Sequence, residues 1–403
     1  MTDNRERRKI SILIALFTAV YVVSYLTRIN YGAIISEMVS QNGWEKSLAS
    51  LALTGSAVTY GAGQLLSGFM GDRIQPKKLI FCGLLTTMTT NLIIPFCSTP
   101  YQMTAVWCVN GLAQAFMWPP LVKLMANLFS AEDYKKASFF VSCGSSIGTV
   151  LVYSVSPVCI HYSGWRSVFF ISAFFALLMA ICFFCICPDI KLKSAKAADK
   201  SETAEPFRWT IVIFGIMLSV VLLGALRDGI TTWMPSYLSE NFNLSNEVSI
   251  LSGVVLPVFS VISYYITLFA NKRLIKNETA LAGALFVLGF AAIFSLNVLK
   301  ISSPVASVLL MATLTGTMHG ASLVFTTLVP LYYKKYGRVS FVSGLFNSCT
   351  YAGSAISTYA TAAVSEKFGW GATTVLWCML AAFGALICFC ISKKWGRQTA
   401  ETK

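Results

Sequence analysis

The sequence predicts an all-α membrane protein with twelve transmembrane helices, arranged as two bundles of six. First, the 403-residue chain is 56% hydrophobic and 12% charged, whereas soluble domains carry about 25% charged residues. Second, it contains twelve apolar segments, each long enough for the ~20 residues that a membrane helix needs. Third, one long polar stretch separates the first six segments from the last six.

The twelve predicted spans follow one another with short connections. They cover residues 10–36, 46–70, 79–97, 101–129, 137–159, 166–187, 209–239, 248–270, 279–298, 304–332, 339–364 and 371–392. Residues 188–206 mix lysines and acids with Ala and Ser, which is typical of a flexible linker. We therefore predict an N-terminal six-helix bundle (1–187), a cytoplasmic linker (188–206) and a C-terminal six-helix bundle (207–403).

The basic residues predict the orientation in the membrane. Of 31 Lys and Arg, 24 lie near the N-terminus, in the even-numbered connections and near the C-terminus. This positive-inside bias predicts that both termini are cytoplasmic. It also explains the net charge of +14 without nucleic acid, and some basic loops are expected to contact anionic lipid. The first apolar run is too long for a cleaved signal peptide, and the chain fits a bacterial inner membrane.

The two halves echo each other in sequence, which predicts a duplicated six-helix unit. Arg28 matches Arg227 at an offset of 199 residues, and Gly148 matches Gly353 at an offset of 205. The loop after span two, residues 68–73, matches residues 267–272, again at 199. In a transporter with such repeats, the substrate site is expected where the two halves meet.

Arg28 and Arg227 are the leading candidates for that site. An arginine in the hydrocarbon interior costs at least ~2.5–3.5 kcal/mol on insertion scales. One arginine alone could snorkel to the interface, but a matched pair favours a functional role. The planar guanidinium donates two parallel bonds to phosphate or carboxylate, so the pair predicts a central site for an anion.

Three other residues in the spans, an acid, a histidine and a lysine, are also candidates for function. Asp228 follows Arg227 directly and points about 100° away on a helix, so the two side chains need not pair. Asp228 is a candidate to bind a cation, carry a proton or accept a structural hydrogen bond. His319 is a candidate for substrate contact or proton coupling, or else for an interhelical bond. Lys123 is expected to act in a gate or latch.

Several strings resemble known transporters. Gly68-x-x-x-Asp72-Arg73, in a predicted cytoplasmic loop, resembles the signature of the major facilitator superfamily. The strings Tyr21-Val-Val-Ser-Tyr25-Leu-Thr-Arg28, Trp118-Pro-Pro and Arg227-Asp-Gly-Ile-Thr-Thr-Trp-Met-Pro resemble its organophosphate:phosphate antiporter family. The resemblance runs thinly along nearly the whole chain.

This resemblance implies the major facilitator fold and transport of a small organic anion by alternating access, with an organophosphate as the expected cargo. Seven residues would bind it: Arg28, Arg227, Tyr21, Tyr25, Tyr60, Trp118 and Tyr351. Asp72, Arg73 and Lys123 would form a cytoplasmic latch that opens between conformations.

Four positions depart from the glycerol-phosphate members of that family. Gln64 stands where they have lysine, Ser145 where they have histidine, and His319 and Asp228 where they have tyrosine. These residues are candidates for coupling or substrate contact. The arginine pair remains while its neighbours change.

The alternatives concern the ion and the activity. The counter-ion or co-ion is phosphate or a proton. The rivals are a carboxylate symporter for sugar acids, a sugar-phosphate sensor that does not transport, and a multidrug exporter, against which the two arginines argue. The chain lacks a Gly-x-x-x-x-Gly-Lys-Ser/Thr loop, which argues against an ATP-driven pump. The twelve scattered cysteines indicate no metal or disulfide framework. We expect no enzymatic activity, no cofactor and a monomer.

Overall fold

A computed structural model describes residues 2–44, 46–190, 209–244, 252–299 and 303–400, and within these ranges the regular structure is helical. The longer helices are α1 (Thr2–Leu26), α2 (Asn30–Asn42), α3 (Lys46–Arg73), α4 (Pro76–Ile93), α5 (Pro100–Ala115), α6 (Trp118–Leu128), α7 (Ala131–Ser163), α8 (Arg166–Ile186), α9 (Ile211–Phe242), α10 (Val255–Arg273), α11 (Glu278–Val298), α12 (Pro304–Leu323) and α13 (Val339–Ala400). A π-helical turn, Val324–Leu328, follows α12.

The predicted spans correspond to these helices. Among the described residues, nine helices are long and apolar enough to cross a membrane. The other three predicted spans, the second, fourth and eleventh, lie in α3, in α5 with α6, and in the first part of α13. Gly, Ser and Thr are frequent in α3 and in the first part of α13, which lowers their hydropathy. Helix α13 contains two predicted spans and bends at Gly369, whose φ is 77°.

The chain forms two compact units. One comprises Met1–Pro206 with Tyr333–Ser348, and the other comprises Phe207–Tyr332 with Cys349–Lys403. The short segment 333–348 thus packs with the first unit although it belongs to the second half of the sequence. From residue 191 onward the predicted linker lies outside the described residues, so the predicted domain limits stay a prediction.

Each unit contains the same close crossing of two helices. In the first unit α7 packs on α1, and a Cβ atom at Gly148 would lie only 2.8 Å from the Val22 carbonyl oxygen. In the second unit a Cβ atom at Gly353 of α13 would overlap the Val221 carbonyl oxygen of α9. Val22 and Val221 are 199 residues apart, and the two glycines are 205 apart. The matching crossings support the duplicated plan.

An aromatic core anchors α2 in the first unit. Tyr31, Trp107, Trp165 and Phe169 are almost wholly buried. The Tyr31 and Trp107 rings lie 5.2 Å apart, and the Trp107 and Phe169 rings lie 5.8 Å apart. Large aromatic groups contribute much of the burial energy of a core. The start of α2 is therefore held firmly beside α5 and α8.

Candidate anion-binding site

The first helix is interrupted at Arg28. Helix α1 ends at Leu26 and α2 begins at Asn30. The backbone N–H groups of Arg28 and Ile29 both donate to the Tyr25 carbonyl, at 3.2 and 3.1 Å. In a continuous helix the Tyr31 N–H would donate to the Thr27 carbonyl, but here it donates to the Asn30 side chain at 3.0 Å. The break therefore leaves the Thr27 carbonyl without its helical donor.

Four buried amides compensate for this break, and we call Asn30, Asn91, Asn110 and Gln114 the amide cradle. The side-chain N–H groups of Asn91 and Asn110 donate to the Thr27 carbonyl at 3.2 and 3.0 Å. Asn30 donates to Asn91 at 2.8 Å, and Gln114 donates to the Thr27 hydroxyl at 2.8 Å. All four amides are 0% exposed. Because backbone polar groups inside a membrane protein must be satisfied internally, the cradle stabilises the break that carries Arg28.

Two aromatic rings lie against the Arg28 guanidinium. Its central carbon lies 4.3 Å from the Tyr25 ring centroid and 4.7 Å from that of Tyr60. Tyr21 contacts Tyr25 with ring centroids 5.3 Å apart, and Trp118 contacts Tyr21 at 4.8 Å. Cation–π contacts stabilise a desolvated guanidinium by about 2 kcal/mol. The structure thus brings four of the predicted aromatic residues together beside Arg28, while their contact with substrate stays a prediction.

In the second unit Arg227 pairs with its own neighbour. The Arg227 Nε and Nη2 groups donate to the two oxygens of Asp228 at 2.6 and 2.9 Å. The long arginine side chain bends across the ~100° between adjacent helical positions to make this two-pronged bond. Asp228 also accepts a hydrogen bond from Ser354. The side chains of Arg227 and Asp228 are 14% and 26% exposed.

His319 belongs to the same cluster. It interacts electrostatically with both Arg227 and Asp228, and its Nδ1 atom lies 3.2 Å from the Tyr264 hydroxyl. Tyr351 is half-buried on α13, and its contact with substrate stays a prediction. The two repeats therefore surround their matching arginines differently: Arg28 lies against aromatic rings, and Arg227 lies against a carboxylate.

Two of the departures from the family pattern make hydrogen bonds within the first unit. Gln64 is 0% exposed, and its side-chain oxygen accepts a hydrogen bond from Asn347 at 2.9 Å. The Ser145 hydroxyl donates to the Ser142 carbonyl of its own helix at 2.7 Å. Their predicted roles in coupling or substrate contact stay predictions.

The predicted latch residues lie where α3 meets the segment 333–348. The Asp72 carboxylate accepts hydrogen bonds from the backbone N–H groups of Ser340 and Phe341 at 3.0 and 2.9 Å, at the start of α13. A carboxylate at a helix N-terminus is favoured by the helix dipole. Lys123 lies 3.5 Å from Asp72 and donates to the Gly71 carbonyl at 2.8 Å.

Arg73 has a different environment from the other two latch residues. Its guanidinium stacks on the Phe69 ring at 3.8 Å. Asp72 and Lys123 therefore share the contacts near the start of α13, and the predicted role of all three residues as a latch stays a prediction.

The sequence interpretation missed the amide cradle. Asparagine and glutamine within apolar spans are themselves a signal, because such side chains bond between membrane helices. Asn30, two residues after Arg28, is such a signal for the amide cradle. No cluster of three or more His, Cys, Asp or Glu in the described ranges could hold a metal ion.

Comparison with known proteins assigns the fold and the family. A profile of the Major Facilitator Superfamily matches residues 17–358. The human organic anion transporter MFSD10 superposes with a TM-score of 0.75 at 14% identity, over 95% of this chain and 99% of that one. The proton:xylose symporter XylE superposes with a TM-score of 0.74 at 11% identity, over 95% of each chain.

Similar proteins of named function support the finer resemblance. A glycerol-3-phosphate transporter of Bacillus subtilis is 24% identical over 396 residues, and the membrane sensor protein UhpC of Escherichia coli is 20% identical over 392; each match covers 91% of this chain and 88% of the relative. A probable hexose phosphate transport protein of Chlamydia trachomatis is 29% identical over 161 residues, 40% of this chain and 35% of its own. The predicted twelve-helix fold and the predicted resemblance to organophosphate:phosphate antiporters are confirmed, and the chain is a multi-pass membrane protein that belongs to the major facilitator superfamily.

Proposed function

We propose that this protein is a secondary transporter of organophosphate anions, of the sugar phosphate or glycerol phosphate type, that works by alternating access. The observation that carries the proposal is the placement of Arg28 over two tyrosine rings, on a helix break that buried amides hold at the Thr27 carbonyl. A membrane protein has little reason to keep so costly an arrangement for stability alone. The relatives named for glycerol phosphate and hexose phosphate supply the expected cargo class.

Arg28 would bind the phosphate group through the edge of its guanidinium. The guanidinium carbon lies over the Tyr25 and Tyr60 rings, and the N–H donors lie in the guanidinium plane. At 4 Å and an effective dielectric constant of 20, two unit charges attract by about 4 kcal/mol. Arg227 would bind the same oxyanion from the second unit. The aromatic rings beside Arg28 would contact the organic part of the substrate.

Opening on the cytoplasmic side would require the latch to break. The two hydrogen bonds from Ser340 and Phe341 to Asp72, and the Lys123 contact, would have to be lost as the segment 333–348 leaves α3. We place this latch on the cytoplasmic side, with both termini, because of the distribution of Lys and Arg. We also place the protein in a bacterial cytoplasmic membrane, as its bacterial relatives suggest.

Flux into proteoliposomes tests the transport function. We expect purified protein to take up glycerol 3-phosphate or glucose 6-phosphate, and expect Arg28→Lys and Arg227→Lys to abolish uptake, because lysine lacks the planar fork. Arg166→Lys is the matched control, since Arg166 also stacks on an aromatic ring, Trp165 at 4.3 Å, but lies outside the site. Unchanged uptake in both site variants would reject the assigned residues. Preferential uptake of gluconate would favour the carboxylate alternative.

A sensor is the second candidate function, because the relative UhpC is a membrane sensor that matches 91% of this chain. A sensor would use the same arginines to bind a sugar phosphate. Binding of glucose 6-phosphate to the purified protein, together with no flux in proteoliposomes, would favour the sensor over the transporter.

A further inference from the structure

The Arg227–Asp228 pair raises a difficulty for anion binding. The Arg227 donors Nε and Nη2 are already bonded to the two Asp228 oxygens, at 2.6 and 2.9 Å. This pair is neutral as a whole. An arriving phosphate dianion would meet a carboxylate of like sign at the arginine that is meant to attract it. A charged Asp228 and a bound oxyanion therefore compete for the same guanidinium.

A proton on Asp228 would remove this competition. We propose that substrate binding displaces a protonated Asp228 from Arg227, so that one proton is taken up with each anion and the protein is a proton–anion symporter. The step balances simply: one carboxylate oxygen takes a proton from water, the carboxyl becomes neutral, and the guanidinium keeps its charge for the oxyanion. This inference rests on the proposed function and decides between its two coupling ions.

The groups around Asp228 suit such a step. Ser354 of α13 donates to the carboxylate, and a hydroxyl can equally accept a hydrogen bond from a protonated carboxyl. Ser354 is therefore a partner for either state of Asp228. His319 of α12 is the second titratable group that faces Asp228 and Arg227, and Tyr264 of α10 bonds to the His319 ring at 3.2 Å. The test must therefore separate Asp228 from His319.

The contrast between the repeats locates the coupling in the second unit. Arg28 lies over the faces of the Tyr25 and Tyr60 rings, which are neutral groups. Arg227 occupies the matching sequence position but has its charge balanced by Asp228. Protonation of Asp228 would therefore act on the arginine of the second unit.

The test measures proton uptake during binding to the purified full-length chain. Inorganic phosphate, glycerol 3-phosphate and glucose 6-phosphate are titrated in weak buffer with a pH-sensitive dye, between pH 5.5 and pH 8. The ionisation of the phosphate itself is common to all variants and cancels in their differences. The variants are Asp228→Asn and His319→Gln. Asp189→Asn is the matched control, because Asp189 has a 64% exposed side chain and pairs with Lys77.

We expect wild type to take up about one more proton per bound anion than Asp228→Asn. The affinity of wild type for the anion should rise on acidification by up to about tenfold per pH unit relative to that variant. Asp189→Asn should keep the wild-type proton uptake, and His319→Gln should still take up about one more proton per bound anion than Asp228→Asn. Equal uptake in wild type and Asp228→Asn, or uptake lost only in His319→Gln, would overturn the proposal. If Asp228→Asn fails to fold, wild type alone still tests the proposal. A binding affinity whose pH dependence is fully explained by the ionisation of phosphate would then overturn it. Failure of wild type to bind any of the three phosphates would instead reject the proposed function.

Discussion

Asn110→Ala tests whether the amide cradle positions Arg28. The substitution removes the donor that lies 3.0 Å from the Thr27 carbonyl and the acceptor that lies 3.1 Å from the Thr90 hydroxyl. Buried hydrogen bonds contribute about 0.5–1.5 kcal/mol each, so we expect a loss of about 1–3 kcal/mol in the free energy of unfolding. The Thr27 carbonyl keeps its bond from Asn91, and the fold should survive.

The functional effect should exceed what stability alone explains. Displacement of a binding group by about 1 Å can cost about 10²-fold in rate, and a partly relaxed break would move Arg28 by less than this. We therefore expect the KM for glucose 6-phosphate uptake to rise about tenfold, which corresponds to ~1.4 kcal/mol. Uptake into proteoliposomes over a range of substrate concentrations gives KM, and thermal unfolding of the same preparation gives the change in stability.

Asn297→Ala is the matched control for this prediction. Asn297 donates to the Ile293 carbonyl at 3.0 Å and to the Cys378 sulfur at 3.5 Å, and it accepts from Thr374 at 2.7 Å, but it supports neither arginine. It should lose comparable stability and keep its KM. If both variants shift KM alike, or if Asn110→Ala leaves KM unchanged, the cradle does not position Arg28.

The remaining predictions concern helix packing and the latch. Gly353→Ala should strongly destabilise the protein in thermal unfolding because the added Cβ overlaps the Val221 carbonyl, whereas Gly371→Ala, with nothing within 4 Å, should not; equal effects would contradict the close crossing. Asp72→Asn should slow steady-state uptake with little change in equilibrium binding, because it weakens the contact with the start of α13; unchanged uptake would remove the latch from the cycle. Lys123→Met should have a similar but smaller effect, because Asp72 and the Gly71 carbonyl lose their contact with Lys123 while Asp72 keeps the two N–H donors at the start of α13; an effect on binding rather than rate would contradict this role.

Much of the fold followed from the sequence because its signals are long and repeated. Apolar length defines the spans, and the offsets of 199 and 205 residues relate two crossings that the structure also contains. The spacing of Tyr21, Tyr25 and Arg28 places them on one helical face, and the structure brings them together.

The details of the site depended on contacts that no local pattern specifies. The break after Leu26 contains neither Pro nor Gly, so helix propensities do not predict it. It exists because side-chain amides more than sixty residues away donate to the Thr27 carbonyl in place of the missing helical donor. The Arg227–Asp228 bond likewise depends on how the arginine side chain bends, which the positions of adjacent residues on a helix do not determine.

Thermal unfolding with and without ligand tests the central claim, that both arginines bind a phosphate group, most directly. A ligand that binds the native state raises its apparent stability by RT ln(1 + [L]/Kd). We predict that glycerol 3-phosphate, glucose 6-phosphate or inorganic phosphate raises the Tm of wild type, and that none of them raises the Tm of Arg28→Lys or Arg227→Lys. Equal stabilisation of wild type and both variants, or stabilisation of wild type by organic acids alone, would contradict the account.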